Sequence, residues 1–175
     1  STQTDTSLAI NLSGNSLNDD SFVDFVVQEF EASGMPTRQV CFEITETAAI
    51  NSFERASEFI TRLRKMGCRF ALDDFGSGMS SFTYLKHLPV DFLKIDGSFV
   101  RDMADEPVDR AMVAAIHEVG RIMGIRTIAE CADTDGAIEQ LRNLGVDYVQ
   151  GDAVGMAVPL SDLLHRTDTQ RLINS

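Results

Sequence analysis

Six short apolar segments of the chain each end at, or next to, a side chain that could bind a metal ion or move a proton. In chain order these side chains are Asn11, Glu43, Asp73 with Asp74, Lys94 with Asp96, Glu130, and Gln150. Oxygen ligands without histidine or cysteine favour hard cations such as Mg²⁺ or Mn²⁺. Four or more carboxylates brought together would also repel one another unless cations lay between them. The pattern therefore predicts a divalent-metal site, and a pair of ions there could activate water for attack on a phosphodiester.

Lys94 and the acidic residues would have different roles in this predicted site. Lys94 would hold the attacking hydroxide or add positive charge near the phosphate, and Glu130 would be a metal ligand or proton acceptor. For Asp96 the sequence leaves two interpretations open, a salt bridge with Lys94 or direct work in the site. A single acidic residue after a strand often only caps the next helix. Six consecutive segments that end in this way therefore indicate a site more strongly than any one of them does.

The segments that must position these residues look like strands of a parallel sheet, because they are short, continuous and apolar. They are LAINL (8–12), VCFEI (40–44), RFALD (69–73), FLKID (92–96), RTIAE (126–130) and DYVQ (147–150). Apolar residues at helical spacing between them predict four core-facing helix faces. These faces comprise Phe22, Phe25, Val26 and Phe30; Phe59, Ile60, Leu63 and Met66; Val108, Met112, Ile116, Val119 and Met123; and Ile138 with Leu141.

Glycines mark the ends of these helices and complete a repeating strand–helix unit. Gly34, Gly67, Gly124 and Gly145 suit the left-handed position after a helix. The residues from Ser161 onward predict one short terminal helix. The fold class is therefore α/β, either a six-stranded open sheet or a (β/α)8 barrel with two strands upstream of Ser1. In a parallel barrel all the strand ends listed above would meet at one rim.

Composition restricts the class of protein. The chain has 175 residues, a formal net charge of −12 and 43% hydrophobic residues, which fits one ordinary globular domain. The acidic balance argues against binding to duplex nucleic acid. Three widely spaced cysteines show no zinc pattern, and we expect a reducing, cytoplasmic setting or the cytoplasmic part of a larger, membrane-attached protein.

Six motifs occur in the order in which the EAL domain family has them, and the chain resembles that family over nearly its whole length. The motifs are AINLS (9–13), FEITET (42–47), ALDDFGSGMSS (71–81), LKIDGSFV (93–100), TIAE (127–130) and DYVQG (147–151). The resemblance implies a TIM-like barrel with one irregular strand direction, of which residues 1–175 hold about six strands. It also implies hydrolysis of cyclic di-GMP to linear pGpG with Mg²⁺ or Mn²⁺, two ions in number. The strand that carries the EAL motif is not among the six, so we expect the chain to be inactive alone.

The resemblance also assigns roles to individual residues. It implies metal binding by Asn11, Glu43, Asp73 and, at the second metal, Asp74. Lys94 resembles the family's catalytic lysine, Glu130 its base or second-site ligand, and Gln150 a glutamine near the nucleophilic water. Glu46 resembles the glutamate that anchors the loop after Asp74, which would tie metal binding to dimer contacts. The implied partners are cyclic di-GMP, a second copy of the chain, and an upstream sensory or GGDEF-type domain.

Three departures from the family pattern keep other functions open. Cys131-Ala132-Asp133 replaces the usual Gly-Val-Glu, so Asp133 could support the site only through a shorter side chain. Asp152 replaces a tyrosine, and Met156-Ala157 replaces a basic residue and proline at a rim that contacts nucleotide. A degenerate EAL domain that binds cyclic di-GMP or a protein partner without hydrolysis is therefore the alternative. A metal-dependent lyase or isomerase with Lys94 as base is a third hypothesis, but it leaves the DDFGSG loop unexplained.

Overall fold

The computed structural model describes residues 7–78 and 82–159, and in them six strands form one parallel sheet. The strands are β1 (Leu8–Leu12), β2 (Val40–Thr45), β3 (Arg69–Phe75), β4 (Phe92–Ile95), β5 (Arg126–Ala129) and β6 (Tyr148–Val149). Each strand pairs in parallel with the next one along the chain, so β1 and β6 are the edges of the sheet. The six predicted strands are confirmed. None of these six runs against the others, so the irregular strand implied by the resemblance is not among them.

Helices connect successive strands and return the chain to the same end of the sheet. They are α1 (Gly14–Leu17), α2 (Phe22–Ser33), α3 (Glu46–Asn51), α4 (Phe53–Lys65), α5 (Phe82–Leu85), α6 (Gly97–Arg101), α7 (Pro107–Met123) and α8 (Asp135–Leu144). Gly34, Gly124 and Gly145 end α2, α7 and α8 in the left-handed conformation, and Gly67 also has a positive φ. The terminal helix predicted from Ser161 lies outside the described residues. None of the described helices is long and apolar enough to cross a membrane.

Successive side chains along each strand point to opposite faces of the sheet. One face is apolar, and the other holds the candidate site residues. Phe70, Leu72, Leu93 and Ile95, on the first face, are fully buried in the main hydrophobic core with the helices. On the other face a smaller cluster forms from Cys41, Ala71 and Phe92 with Ile128 packed against it. Residues two positions further along each strand lie on this same second face. These residues are Glu43, Asp73, Lys94 and Glu130.

The core-facing side of α7 differs from the one predicted from spacing. Val108 is 71% exposed and Met112 is 39% exposed, so these two assignments were wrong. The buried residues of α7 are Val113, Ile116 and Gly120. Gly120 sets this rotation because it lies against the backbone, where an added Cβ would be 3.0 Å from the Ile125 carbonyl oxygen.

Phe25 of α2 was also predicted to face the core, but 54% of it is exposed. The buried residue of this helix is its neighbour Val26. α2 packs through Phe22, whose ring stacks on that of Phe59 in α4 with centroids 6.0 Å apart. Phe25 only stacks along its own helix against Phe22. The predicted faces of α4 and α8 are confirmed.

Replacement of Gly151 by alanine tests the packing of the segment after β6. A Cβ at this position would lie 2.4 Å from the Ala132 amide nitrogen and 2.5 Å from its carbonyl oxygen. We expect Gly151→Ala to lower the free energy of unfolding by about 1–3 kcal/mol, as overpacking does. The matched control is Gly155→Ala in the same segment, where a Cβ meets nothing within 4 Å. Thermal unfolding followed by circular dichroism measures both, and equal losses would contradict this packing.

Candidate active site

The ammonium group of Lys94 lies among three carboxylates from neighbouring strands. Its Nζ is 3.0 Å from Glu43 Oε2, 2.9 Å from Asp73 Oδ1 and 2.8 Å from Glu130 Oε1. Lys94 is only 3% exposed, and a buried ammonium is costly unless it is paired. Burial alone would lower the pKa of Lys94, but its hydrogen bonds to the three carboxylates outweigh burial and raise that pKa above its usual value. Lys94 is therefore a permanent cation in this site.

A bulge in β3 brings two consecutive aspartates to one place. In a regular strand the side chains of Asp73 and Asp74 would point to opposite faces. The pairing of β3 with β4 shifts between Leu72 and Phe75, and Asp74 has a φ of 55°. Aspartate tolerates this left-handed conformation better than most residues. As a result, one carboxylate oxygen from each of Asp73, Asp74 and Glu130 lies within 4.8 Å of the other two.

The charges of this cluster do not balance. Burial and then the neighbouring charges of Asp73 and Asp96 raise the pKa of Asp74. Burial likewise raises the pKa of Glu130, although the hydrogen bond from Lys94 acts in the opposite direction. Four carboxylates thus face one ammonium group, and a divalent cation would relieve their repulsion. The all-oxygen donor set fits Mg²⁺ or Mn²⁺.

The two predicted site residues on the edge strands lie at the same end of the sheet. Asn11 of β1 stands in register with Glu43 of β2, so the two share a face about 4.8 Å apart. Gln150 follows β6 and is exposed. Its amide donates to the Ala129 carbonyl, and its own carbonyl accepts from the Ala132 amide. The structure therefore fixes the backbone of Gln150 beside the site.

The carboxylates of Asp96 and Asp133 both accept hydrogen bonds from backbone amides. Asp96 caps α6, where its Oδ1 accepts a hydrogen bond of 2.7 Å from the Ser98 amide. A salt bridge to Lys94 is not among the ion pairs of residues 7–78 and 82–159, so this interpretation was wrong. Asp133 is exposed and its Oδ1 accepts a 3.0 Å hydrogen bond from the Asp152 amide. It holds the segment after β6 and makes no described contact with the carboxylate cluster.

Glu46 connects the site to the loop that follows Asp74. This residue begins α3 and is 3% exposed. Its Oε2 accepts a hydrogen bond of 3.1 Å from the Gly76 amide, and its Oε1 accepts one of 2.5 Å from the Tyr84 hydroxyl. The loop contact agrees with the anchoring role implied by the resemblance. Sequence reasoning did not find Tyr84, because no motif or strand end marks it.

Cys131 adopts a backbone conformation that the sequence did not reveal. Its φ is 54°, in the left-handed region, which glycine adopts without steric cost and other residues rarely adopt. Its Sγ lies 3.2 Å from Arg101 Nη2 and packs tightly on Gly97, where an added Cβ would be 2.5 Å away. The side chain thus fills the space between the end of β5 and the start of α6.

Comparison with known proteins identifies the family of this chain. The model of the EAL domain family matches residues 1–157. The chain is 44% identical over 163 residues to the cyclic di-GMP phosphodiesterase PdeB of Shewanella oneidensis, covering 93% of this chain and 19% of that protein. It is 35% identical to the cyclic di-GMP phosphodiesterase PdeF of Escherichia coli, with 93% and 22% covered. The chain spans about a fifth of the length of these relatives.

Solved structures give the same result for the fold. The PaMucR phosphodiesterase in its c-di-GMP complex superposes with a TM-score of 0.85 at 32% identity, over 90% of this chain and 64% of that one. The EAL domain of Mycobacterium smegmatis DcpA gives 0.84 at 34% identity, over 91% and 71%. The chain belongs to the EAL domain family, and its sheet and helices are part of the TIM-like barrel of that family.

A substitution at Asp74 distinguishes the charge repulsion within the carboxylate cluster, which destabilises the fold, from the ability of the cluster to bind a metal ion. We expect Asp74→Asn to raise the melting temperature of the protein in chelator, because it removes one repelling charge and asparagine tolerates a positive φ. We also expect it to reduce or abolish the rise on adding Mn²⁺. For the parent protein that rise should be about 5–10 °C at a hundred times the dissociation constant. Differential scanning fluorimetry measures both, and an undiminished Mn²⁺ effect in the variant would exclude Asp74 from the metal site.

Proposed function

We propose that this chain is the greater part of a phosphodiesterase domain that hydrolyses cyclic di-GMP to linear pGpG. One observation carries the proposal: Lys94 and the carboxylates of Glu43, Asp73 and Glu130 lie in contact at the carboxyl ends of parallel strands. Active sites of barrels built from such strands lie at this end. The names of the two curated relatives given above support the same substrate and reaction.

The chemistry follows from the donors and their charges. Asn11, Glu43, Asp73 and Asp74 would hold two Mg²⁺ or Mn²⁺ ions, which supply charge stabilisation to a phosphodiester and acidify water when bound. Lys94, always charged, would donate hydrogen bonds to the oxygens around the reacting phosphorus. Glu130 has a raised pKa, which suits a group that accepts the proton of the attacking water.

The bond changes balance without any further reactant. Water adds to phosphorus while the bond from phosphorus to the 3′ oxygen breaks. The proton taken from the water ends on the released 3′ hydroxyl, and the other product end is the 5′ phosphate of pGpG. Gln150, fixed by its backbone beside the site, would orient the water. No oxidant or reductant enters the reaction.

Further strands would complete the barrel around this site. β1 is an edge strand on which Leu8 is 45% and Ile10 is 42% exposed, and an exposed apolar edge favours pairing with another strand. We propose that two more strands, one with the EAL motif, precede residue 1 in the complete domain. We further propose an upstream sensory or GGDEF-type domain and a cytoplasmic location. The buried Cys41 and Cys68, whose pKa values burial raises to about 12 and about 11, fit that location.

The exposed face of α7 supports a homodimer. Val108, Met112, Ala115, Val119 and Ile122 recur at intervals of four, three, four and three residues, the spacing of a coiled-coil seam. Val108 and Ile122 are each 71% exposed and Met112 is 39% exposed, so the two ends of this seam are open, whereas Val119 also packs against the core. We propose that two copies of α7 pack antiparallel about Ala115, which is small enough for close approach.

The same helix reaches the loop of the metal site. A Cβ on Gly76 would lie 3.2 Å from Ile116 Cδ1 of α7 and 2.8 Å from Phe99 Cε2 of α6. A change in the position of α7 on dimerisation would therefore act on the residue that follows Asp74 and Phe75 in the loop. This contact supports the proposal that dimerisation and metal binding are coupled.

Glu43→Gln tests the proposed reaction in the complete protein. The variant keeps the side-chain size but removes a charge that binds Lys94 and, in the proposal, a metal ion. We expect release of pGpG to fall by about 100-fold or more. Glu139→Gln, the same change on the exposed side of α8, is the control and should retain full activity. Product is measured by chromatography with Mn²⁺ present, and undiminished hydrolysis in Glu43→Gln would refute the mechanism.

The second candidate is a domain that binds cyclic di-GMP, or a protein partner, without hydrolysis. Asp152 and the 74% exposed Met156 favour it, because they stand where the resemblance places nucleotide-contacting residues. Tight binding by calorimetry with no turnover by the complete parent protein would decide for this candidate.

Substitutions on the seam test the dimer. We expect the parent protein to sediment as a dimer and the double variant Val108→Asp, Ile122→Asp to sediment as a monomer, because buried unpaired carboxylates oppose association. Val154→Asp changes an apolar residue that is 53% exposed after β6, and it should leave the dimer intact. A double variant that remains dimeric would place the interface elsewhere.

A further inference from the structure

The loop between β3 and α5 is held at both of its ends by one carboxylate. It begins at Gly76, whose amide donates to Glu46 Oε2, and it leads to α5, where the Tyr84 hydroxyl donates to Glu46 Oε1 at 2.5 Å. Residues 79–81 between these ends are outside the described residues. The Glu46 carboxylate thus connects Gly76 and Tyr84 through two hydrogen bonds.

Glu46 is well placed to link the position of Tyr84 to the position of the loop that follows Asp74. It directly follows Thr45, which caps α3 by accepting from the Ala48 amide and stands in register with Asp73 of β3. Glu46 is 3% exposed, and a buried carboxylate requires hydrogen-bond partners. Removal of the Tyr84 hydroxyl would take away one of the donors that orient the Glu46 carboxylate.

We propose that Tyr84 is a positioning residue for the metal centre, acting through Glu46 on the loop that follows Asp74. The inference rests on the proposed function, because it assumes that Asp73 and Asp74 hold a divalent cation. Gly76 lies two residues after Asp74, and its tight contact with Phe99 leaves the loop little freedom on that side. With the Tyr84 bond in place, the left-handed turn at Asp74 keeps its carboxylate near Asp73.

The hydroxyl group of Tyr84 is suited to this task. Burial, and then the hydrogen bond to Glu46, raise the pKa of Tyr84 above its usual value. The hydroxyl is therefore always a donor to the carboxylate. Hydrogen bonds to a charged acceptor are shorter and stronger than those between neutral groups.

The chain contains two tyrosines, which gives a matched pair of variants. Tyr84→Phe removes the hydroxyl that binds Glu46. Tyr148→Phe removes one that accepts from Arg126 Nη1 at 2.8 Å, at the opposite end of the strands. We expect the complete protein with Tyr84→Phe to bind Mn²⁺ about 10-fold more weakly by calorimetry, the lower end of outer-shell effects. Tyr148→Phe should bind Mn²⁺ as the parent does.

Two further measurements distinguish positioning from general destabilisation. The Gly76 amide should exchange with solvent faster in Tyr84→Phe and not in Tyr148→Phe. In a double-mutant cycle with Glu46→Gln, the losses of Mn²⁺ affinity should be smaller together than their sum, because both act through one bridge.

Parent-like Mn²⁺ affinity in Tyr84→Phe, an equal loss in Tyr148→Phe, or additive losses with Glu46→Gln would each overturn the inference. The proposed function fails differently, since then the parent protein itself binds no Mn²⁺ or releases no pGpG.

Discussion

The ion pairs of Lys94 are the constraint on which the rest of the structure depends. An ammonium that is 3% exposed is tolerable only because three carboxylates contact it, and each comes from a different strand or strand end. The contacts therefore fix the alignment of β2, β3, β4 and the end of β5. Conversely, those carboxylates can lie close together only because a cation lies between them. One charge does not neutralise four, so the same arrangement that orders the strands leaves an acidic cluster that could hold a metal ion.

The face of the sheet that carries this site is organised in layers along the strands. At the amino ends, the guanidinium carbon of Arg126 lies 4.6 Å from the centre of the Phe92 ring, and Tyr148 packs beside it. Cys41 and Ala71 belong to the apolar layer above, and the carboxylates follow at the carboxyl ends. The apolar residues separate the acidic layer from the opposite end.

Much of this could be predicted because it follows from local rules. Strands buried in a parallel sheet are continuously apolar, and their carboxyl ends meet, so the meeting of Glu43, Asp73 and Lys94 follows from the positions of three strands. The rotation of α7 could not be predicted, because the helix has two apolar strips at nearly equal spacing. The choice between them depends on Gly120 meeting the backbone at Ile125, a contact between segments that periodicity does not encode. The hydrogen bond of Tyr84 is likewise visible only once α3 and α5 are placed.

Backbone strain is concentrated at the same rim as the chemistry. Among residues 7–78 and 82–159, the non-glycine residues with positive φ are Asp74 and Cys131, and each directly follows a carboxylate of the site. A left-handed conformation costs about 1–2 kcal/mol for a residue with a side chain, and such residues are found where surrounding contacts hold them. At Asp74 the conformation adds a second carboxylate beside Asp73. At Cys131 it turns the chain directly after Glu130, whose place on the same face already follows from the alternation of side chains along β5.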